Sequence, residues 1–224
     1  MQINVSGKYN HYIILIFILF ISINHSEVIA GPKAGIYGIY MVPDGEDAEN
    51  YSESGFGFGL HIVLPAPQLL NILAGTAGFE IINLLTSSID LRDPDTGLLV
   101  VQNTDQNYMR LYIGAQAGGH GNGFLRPHAG MNLAFIYYSI STDLVIPDSY
   151  GENEIVQNLN NEGHVVFGYD ITLGLDLNFS NKFMLDGGIR YLKTFSVPQQ
   201  LGEEGSVKIH PQYFQLYLGF GMGI

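Results

Sequence analysis

Between positions 165 and 179 every second residue is large and apolar: Val165, Phe167, Tyr169, Ile171, Leu173, Leu175, Leu177 and Phe179. The residues between them are small or polar apart from Val166, and they include Asp170 and Asp176. Side chains alternate between the two faces of a strand, so one face is apolar along its whole length while the other carries two carboxylates. A half-buried strand of a soluble sheet alternates in this way over about 4–8 residues. A longer run needs a thick apolar partner. A bilayer is one, and a strand that spans it takes about 9–11 residues and belongs to a closed barrel. The return segment repeats the pattern, with Phe183, Leu185, Gly187, Ile189 and Tyr191 on one side and Met184, Asp186, Gly188 and Arg190 on the other. A charge facing lipid near mid-bilayer costs about 2–4 kcal/mol. The polar side therefore faces the lumen.

The same alternation marks further strands. Phe56, Phe58, Leu60, Ile62 and Leu64 alternate with glycines and His61, and Met109, Leu111, Ile113 and Ala115 alternate with Arg110, Tyr112, Gly114 and Gln116. Leu125, Ala129, Met131, Leu133 and Phe135 alternate with Arg126, His128, Gly130 and Asn132, and Phe214, Leu216, Leu218 and Phe220 alternate with Tyr213, Gln215, Tyr217 and Gly219. Residues 35–42 read as a first strand with two apolar faces and an ill-determined register. Over 71–85 the alternation weakens, with Glu80 inward, and Ile81-Ile82 suggests a bulge or bend, a short helix being the alternative. The total is eight strands. Connections near 65–70, 119–123 and 180–182 are short, while those near 43–54, 86–106, 141–163 and 197–207 are long and mostly acidic. Transmembrane barrels have short periplasmic turns and long extracellular loops. The expected fold is thus all-β, an eight-stranded antiparallel up-and-down transmembrane β-barrel with periplasmic termini and extracellular acidic loops. Phe167, Ile171, Leu173, Leu175, Phe179, Phe183, Leu216 and Phe220 are its expected lipid-facing residues.

The beginning of the chain adds an address. Lys8 precedes an apolar run from 12 to 23, and Val28-Ile29-Ala30 offers small or short residues where a signal peptidase reads. Residues 1–30 are expected to be a cleaved signal peptide and 31–224 the barrel; the run is too short for the roughly 20 residues of a spanning helix. Cysteine is absent, which excludes disulfides, a lipidated N-terminus and thiolate metal sites. The net charge of −12 makes nucleic acid an unsuitable partner. Composition alone leaves a soluble lipocalin-like barrel open.

An export signal, eight alternating strands and a chain that stops at its final strand resemble the small outer-membrane β-barrel proteins, the group that includes OmpA-type and OmpX-type barrels. The segments that carry the resemblance best are 168–191 and 212–224. It implies the outer membrane of a Gram-negative bacterium, a monomer among outer-membrane lipid and lipopolysaccharide, and recognition of the last strand by the barrel-assembly machinery. In that family the last strand ends on an aromatic residue; here it ends on Ile224, with Phe220 the nearest aromatic. An OmpA-like wall anchor is not expected.

The inward positions collect Arg110, Arg126 and Arg190 against Asp170, Asp176 and Asp186, with His128 beside them and Glu80, His61 and His164 as possible additions. An eight-stranded barrel is just wide enough for side chains to fill it, and charges packed there should pair. A structural salt-bridge network is expected, with no catalytic residues, no cofactor and no metal. The function expected is structural or interactive, through surface loops, adhesion or envelope integrity. Two alternatives remain open: an outer-membrane enzyme acting on lipid A or peptides through a rim histidine, and a secreted barrel binding an apolar ligand. Phe56, Phe167, Phe179, Phe183 and Phe214 point outward in a membrane barrel and inward in a ligand binder. Asp93-x-Asp95-x-Gly97 reads as a tight turn, lacking the third ligand and distal glutamate of a calcium loop. Asp44, Glu46, Asp47 and Glu49 could gather divalent cations and bridge to phosphorylated lipopolysaccharide, although loop charge serves mostly for solvation.

Overall fold

The computed structural model describes residues 31–49, 52–66, 72–92, 99–118, 124–147, 154–179, 182–195, 197–201 and 205–224. The expected signal peptide 1–30 and the turns at 93–97, 119–123 and Ser180-Asn181 lie outside the described residues. The strands are β1 (Lys33–Asp44), β2 (Gly55–Pro65), β3 (Leu73–Arg92), β4 (Leu99–Gly118), β5 (Leu125–Pro147), β6 (Glu154–Asn178), β7 (Phe183–Thr194), β8 (Val197–Leu201), β9 (Gly205–Ile209) and β10 (Gln212–Gly223). A single helical turn, α1 (Glu46–Glu49), follows β1.

Eight of these strands close a barrel in the order β1-β10-β7-β6-β5-β4-β3-β2, every pair antiparallel. Closure leaves no unpaired edge, which is what a backbone in hydrocarbon requires. β8 and β9 form a separate hairpin within what the sequence presents as the fourth long loop.

The apolar residues are on the outside. Phe56 is 72% exposed, Ile113 68%, Phe220 72%, Phe179 65%, Phe183 60%, Phe167 54% and Phe214 48%. Leu173, Leu216 and Ile171 are exposed too, and Leu175 is half-buried. Soluble monomers rarely expose contiguous apolar patches beyond a few hundred Å². All five diagnostic phenylalanines point outward, which removes the soluble ligand-binding barrel.

Two features depart from the sequence reading. Residues 141–147 and 154–163 are strand, not loop: β5 and β6 stay paired out to Pro147 and Glu154. β3 and β4 also stay paired, to Arg92 and Leu99, in keeping with the small hairpin expected around the turn at 93–97. At about 3.3 Å per residue, strands of 20–25 residues are far longer than an apolar band about 25 Å tall demands. β3–β6 thus rise well beyond the apolar belt as a polar sheet, and its polar, Asn- and Thr-rich sequence hides the continuous pairing. The irregularity suspected near Ile81-Ile82 falls at Leu84, an extra residue between Asn83 and Leu85 that is itself buried. This run is strand, not helix.

The second departure is the chemistry of the filling. In the half of the lumen nearest the long connections, Ile39, Met41, Ile82, Leu84, Tyr108, Ile136, Val166, Leu192 and Tyr213 pack as an apolar core. Ala48 of α1 joins it at 1% exposure, so the first connection folds down onto the barrel mouth. Gly45, at φ +84°, makes the turn into α1 and accepts hydrogen bonds from the Ala48 and Glu49 amides. Asp44, Glu46, Asp47 and Glu49 therefore flank a docked plug, not a free loop.

Candidate functional site

The lumen below the apolar core holds the charged residues, and strand register brings them together. Glu80 on β3 stands opposite Arg110 on β4, Asn132 on β5 opposite Asp170 on β6, and Arg190 on β7 opposite both Thr172 and Gln215. Glu80 accepts hydrogen bonds from Arg110 Nη1 at 2.9 Å, Tyr37 at 2.7 Å, Gln215 Nε2 at 3.4 Å and Arg190 Nη1. Asp170 accepts from Asn132 at 2.8 Å, Thr172 at 2.9 Å and Arg110 Nη2, with Arg190 Nε 3.5 Å away. Two guanidiniums thus face two carboxylates, and all four side chains are at most 4% exposed.

Tyrosine rings wrap this group. The Arg110 guanidinium carbon lies 4.4 Å from the Tyr112 ring centre, and that of Arg190 lies 5.2 Å from the rings of Tyr112 and Tyr217. Cations over aromatic faces are attracted by the ring quadrupole, most strongly when desolvated. The rings fit because glycines face them: a Cβ on Gly59 would sit 2.5 Å from the Tyr37 ring, and one on Gly78 2.3 Å from the Tyr112 hydroxyl.

Toward the short turns a second group gathers. Lys33 Nζ pairs with Asp176 at 2.7 Å, and Asp176 stands directly opposite Asp186 across β6 and β7. His128 lies between them, Nδ1 3.7 Å from Asp176 and Nε2 3.8 Å from Asp186, while His61 Nε2 is 3.8 Å from Asp186. Arg126, opposite Asp176 on β5, is only half-buried and stands at the mouth instead of inside the central group.

Of the residues singled out from the sequence, Arg110, Asp170 and Arg190 meet in the central group with Glu80. His128, Asp176 and Asp186 meet in the lower one with His61, and His164 lies on β6 opposite Tyr138, at the far end of the lumen. Sequence reading missed Lys33 and Tyr37, and it placed Tyr112 and Gln215 on the polar side without assigning them to the charged network. Lys33 belongs to a strand whose two faces were indistinguishable. The tyrosines read as generic aromatics, because polar duty does not show in their spacing.

No protein-family model matches the chain, and no curated protein is similar to it. Solved structures are similar. Neisserial surface protein A is 13% identical with a TM-score of 0.55, over 87% of this chain and 98% of its own. A major outer membrane protein of Thermus thermophilus is 11% identical with a TM-score of 0.49, over 85% and 98%. The outer membrane protease OmpT of Escherichia coli is 10% identical with a TM-score of 0.44, over 89% and 98%. Identities this low speak for fold and not for activity. Closed by eight strands, apolar outside and charged within, the chain has the fold of the small outer-membrane β-barrels.

Proposed function

We propose that the protein is a non-catalytic, non-conducting barrel of a Gram-negative outer membrane, acting through the sheet that stands beyond the bilayer. The observation that carries this reading is the inside-out arrangement of side chains. Phe56, Ile113 and Phe220 are each at least two-thirds exposed, while Glu80 and Arg110 have no exposure at all. A surface of that kind belongs in hydrocarbon. A lumen filled by the paired Glu80, Asp170, Arg110 and Arg190 and by tyrosine rings leaves little room for a pore. What is left for interaction is the paired extension of β3–β6, with the hairpin β8–β9 and α1 beside it. Envelope integrity, adhesion or contact with a partner outside the cell fits that surface.

The finer parts of the reading rest on the sequence pattern. Residues 1–30 serve as a signal peptide cleaved after Ala30, both termini lie in the periplasm, and the long connections lie outside. The barrel is a monomer among lipid and lipopolysaccharide, inserted by the assembly machinery through β10. A rim enzyme would need a histidine beside a nucleophile or acids near the long connections. The histidine–carboxylate pairs described above involve His61 and His128 and lie at the opposite end.

The test is heat-modifiable gel migration of protein extracted from outer-membrane fractions. A faster-running unboiled band confined to that fraction is expected. A single band in the soluble periplasmic or secreted fraction would overturn the proposal.

A further inference from the structure

The lower lumenal group contains a feature that the central group does not. In the centre, two arginines balance Glu80 and Asp170. In the lower group Lys33 pairs with Asp176, which faces Arg126 on β5 and stands directly opposite a second carboxylate, Asp186, on β7. Like charges directly opposite destabilise a strand pair, and burial strengthens the repulsion. Both residues are nearly buried, Asp176 at 3% and Asp186 at 7% exposure.

Two atoms of this group are also left without partners. His128 Nδ1 and Asp186 Oδ1 are buried and make no hydrogen bond. A buried polar atom without a partner costs about 1–3 kcal/mol, and one such atom in a native structure asks for an explanation such as a bound ion. His128 is only 4% exposed, and its other nitrogen is already engaged, 3.1 Å from the Tyr217 hydroxyl. One nitrogen of His128 and one oxygen each of Asp176 and Asp186 lie within 4.8 Å of one another. His61 Nε2 lies 3.8 Å from Asp186, beside this group.

The space is real. A cavity of about 30 Å³ is lined by His61, His128, Asp186, Arg190, Tyr217 and Thr172 among others. Space for a single water needs roughly 10–15 Å³ on this measure, so a small ion and a water both fit. Glycines keep it open: a Cβ on Gly174 would come within 2.3 Å of His128 Nε2, and one on Gly35 within 2.6 Å of His61 Nε2. The side chains of His61 and Asp186 retain 14% and 10% exposure, which gives a route for an ion from the turn end.

We propose that His128, Asp176 and Asp186 bind one divalent transition-metal ion of the zinc class inside the barrel, the fourth position being left to water. The donors are imidazole nitrogen and carboxylate oxygen, a set that suits zinc. Calcium takes 6–8 oxygen ligands and finds too few here. Tetrahedral zinc, with bonds of about 2.0–2.1 Å, sets neighbouring donors roughly 3.4 Å apart. With one nitrogen of His128 and one oxygen of each aspartate now within 4.8 Å of one another, the three donors draw together on binding. The ion supplies positive charge between the two opposed carboxylates, and it ties β5, β6 and β7 together beside the turns.

The experiment uses the folded full barrel in detergent, stripped of metal with a chelator and titrated with Co²⁺, followed by Zn²⁺ and, separately, Ca²⁺. The expected result is one equivalent of Co²⁺ with the intense visible absorption of a tetrahedral site, displaced by Zn²⁺ and not by Ca²⁺. Asp186→Asn and His128→Gln each weaken binding by at least roughly tenfold, and both still run as folded bands before boiling. His164→Gln, at the far end of the lumen, leaves binding unchanged. Asp186→Asn keeps the test open if His128→Gln fails to fold, since it also relieves the opposed carboxylates. Three outcomes overturn the proposal: no saturable binding by the folded wild type, binding that Asp186→Asn leaves intact, or preference for Ca²⁺. The first would mean that a proton shared between the carboxylates is the neutralising charge. The other two would place the metal on the acidic loops.

Discussion

Replacing Glu80 with glutamine probes the central group most directly, because one carboxylate there answers two guanidiniums. Glutamine keeps the shape and one acceptor oxygen but loses the charge. Of the four hydrogen bonds Glu80 accepts, those from Arg110 at 2.9 Å and from Arg190 are charge-assisted, and such bonds contribute about 1.5–3 kcal/mol each. Losing both partly while leaving the two arginines with only Asp170 costs about 3–5 kcal/mol, the range for breaking a buried pair from one side. That is roughly 150- to 5000-fold in the folding equilibrium. The compensating change is Arg110→Met, which removes the surplus cation and leaves Asp170 with Arg190. The double variant should recover most of the loss, since replacing a whole buried ion pair by apolar groups is often neutral. The assay is urea unfolding of the barrel in lipid vesicles, read as the loss of the fast-running gel band, for the wild type, both single variants and the double. A Glu80→Gln barrel within about 0.5 kcal/mol of wild type, the usual scatter for uncoupled sites, would refute the argument. So would a double variant no more stable than the weaker single.

Two further perturbations address the outside and the mouth. Leu173→Asp places a charge on an outward position that is 53% exposed, at a cost of up to about 2 kcal/mol; the fraction of folded band in outer-membrane extracts should fall, with Leu173→Ala retaining it, and normal assembly of the aspartate variant would count against a lipid-facing surface. Ala48→Gln puts a long polar side chain into the apolar core at a site that is 1% exposed; cleavage at Glu46, Glu49 or Glu53 by a glutamate-specific protease should then quicken roughly tenfold or more, with the barrel itself still folded. Unchanged cleavage would mean that the first connection does not depend on this contact.

The fold was legible because a period of two is a strong signal when it runs for a dozen residues, as it does from Val165 to Phe179. Turn chemistry and the order of long and short connections then supplied the strand count. The same signal fades where both faces have one character. In β1, Tyr37, Ile39 and Met41 face in and Ile36 faces out, yet all four are apolar or aromatic. Beyond the belt both faces of β5 and β6 meet water, so nothing marks where a strand ends, and the pairing out to Pro147 and Glu154 went unseen.

The site is a different matter, because alternation tells which way a side chain points but not how deep along the lumen it sits. Depth comes from register, and register is a property of strand pairs. Glu80 reaches Arg110 because the two are paired residues on β3 and β4, while Arg190 arrives from a strand 110 residues away by sequence. His128, Asp176 and Asp186 lie on three different strands, and sequence spacing therefore carries no ligand signature of the kind a helix displays at i and i+4. What the sequence did carry was a surplus: more charged inward residues than a narrow lumen can hold unless they pair. The barrel resolves that surplus by stacking the charges in two layers beneath an apolar cap. The upper layer is neutral by its own arginines. The lower one sets two opposed carboxylates against Lys33 and Arg126, with two histidines beside a small cavity, so depth in the lumen and not spacing along the chain decides which charges meet.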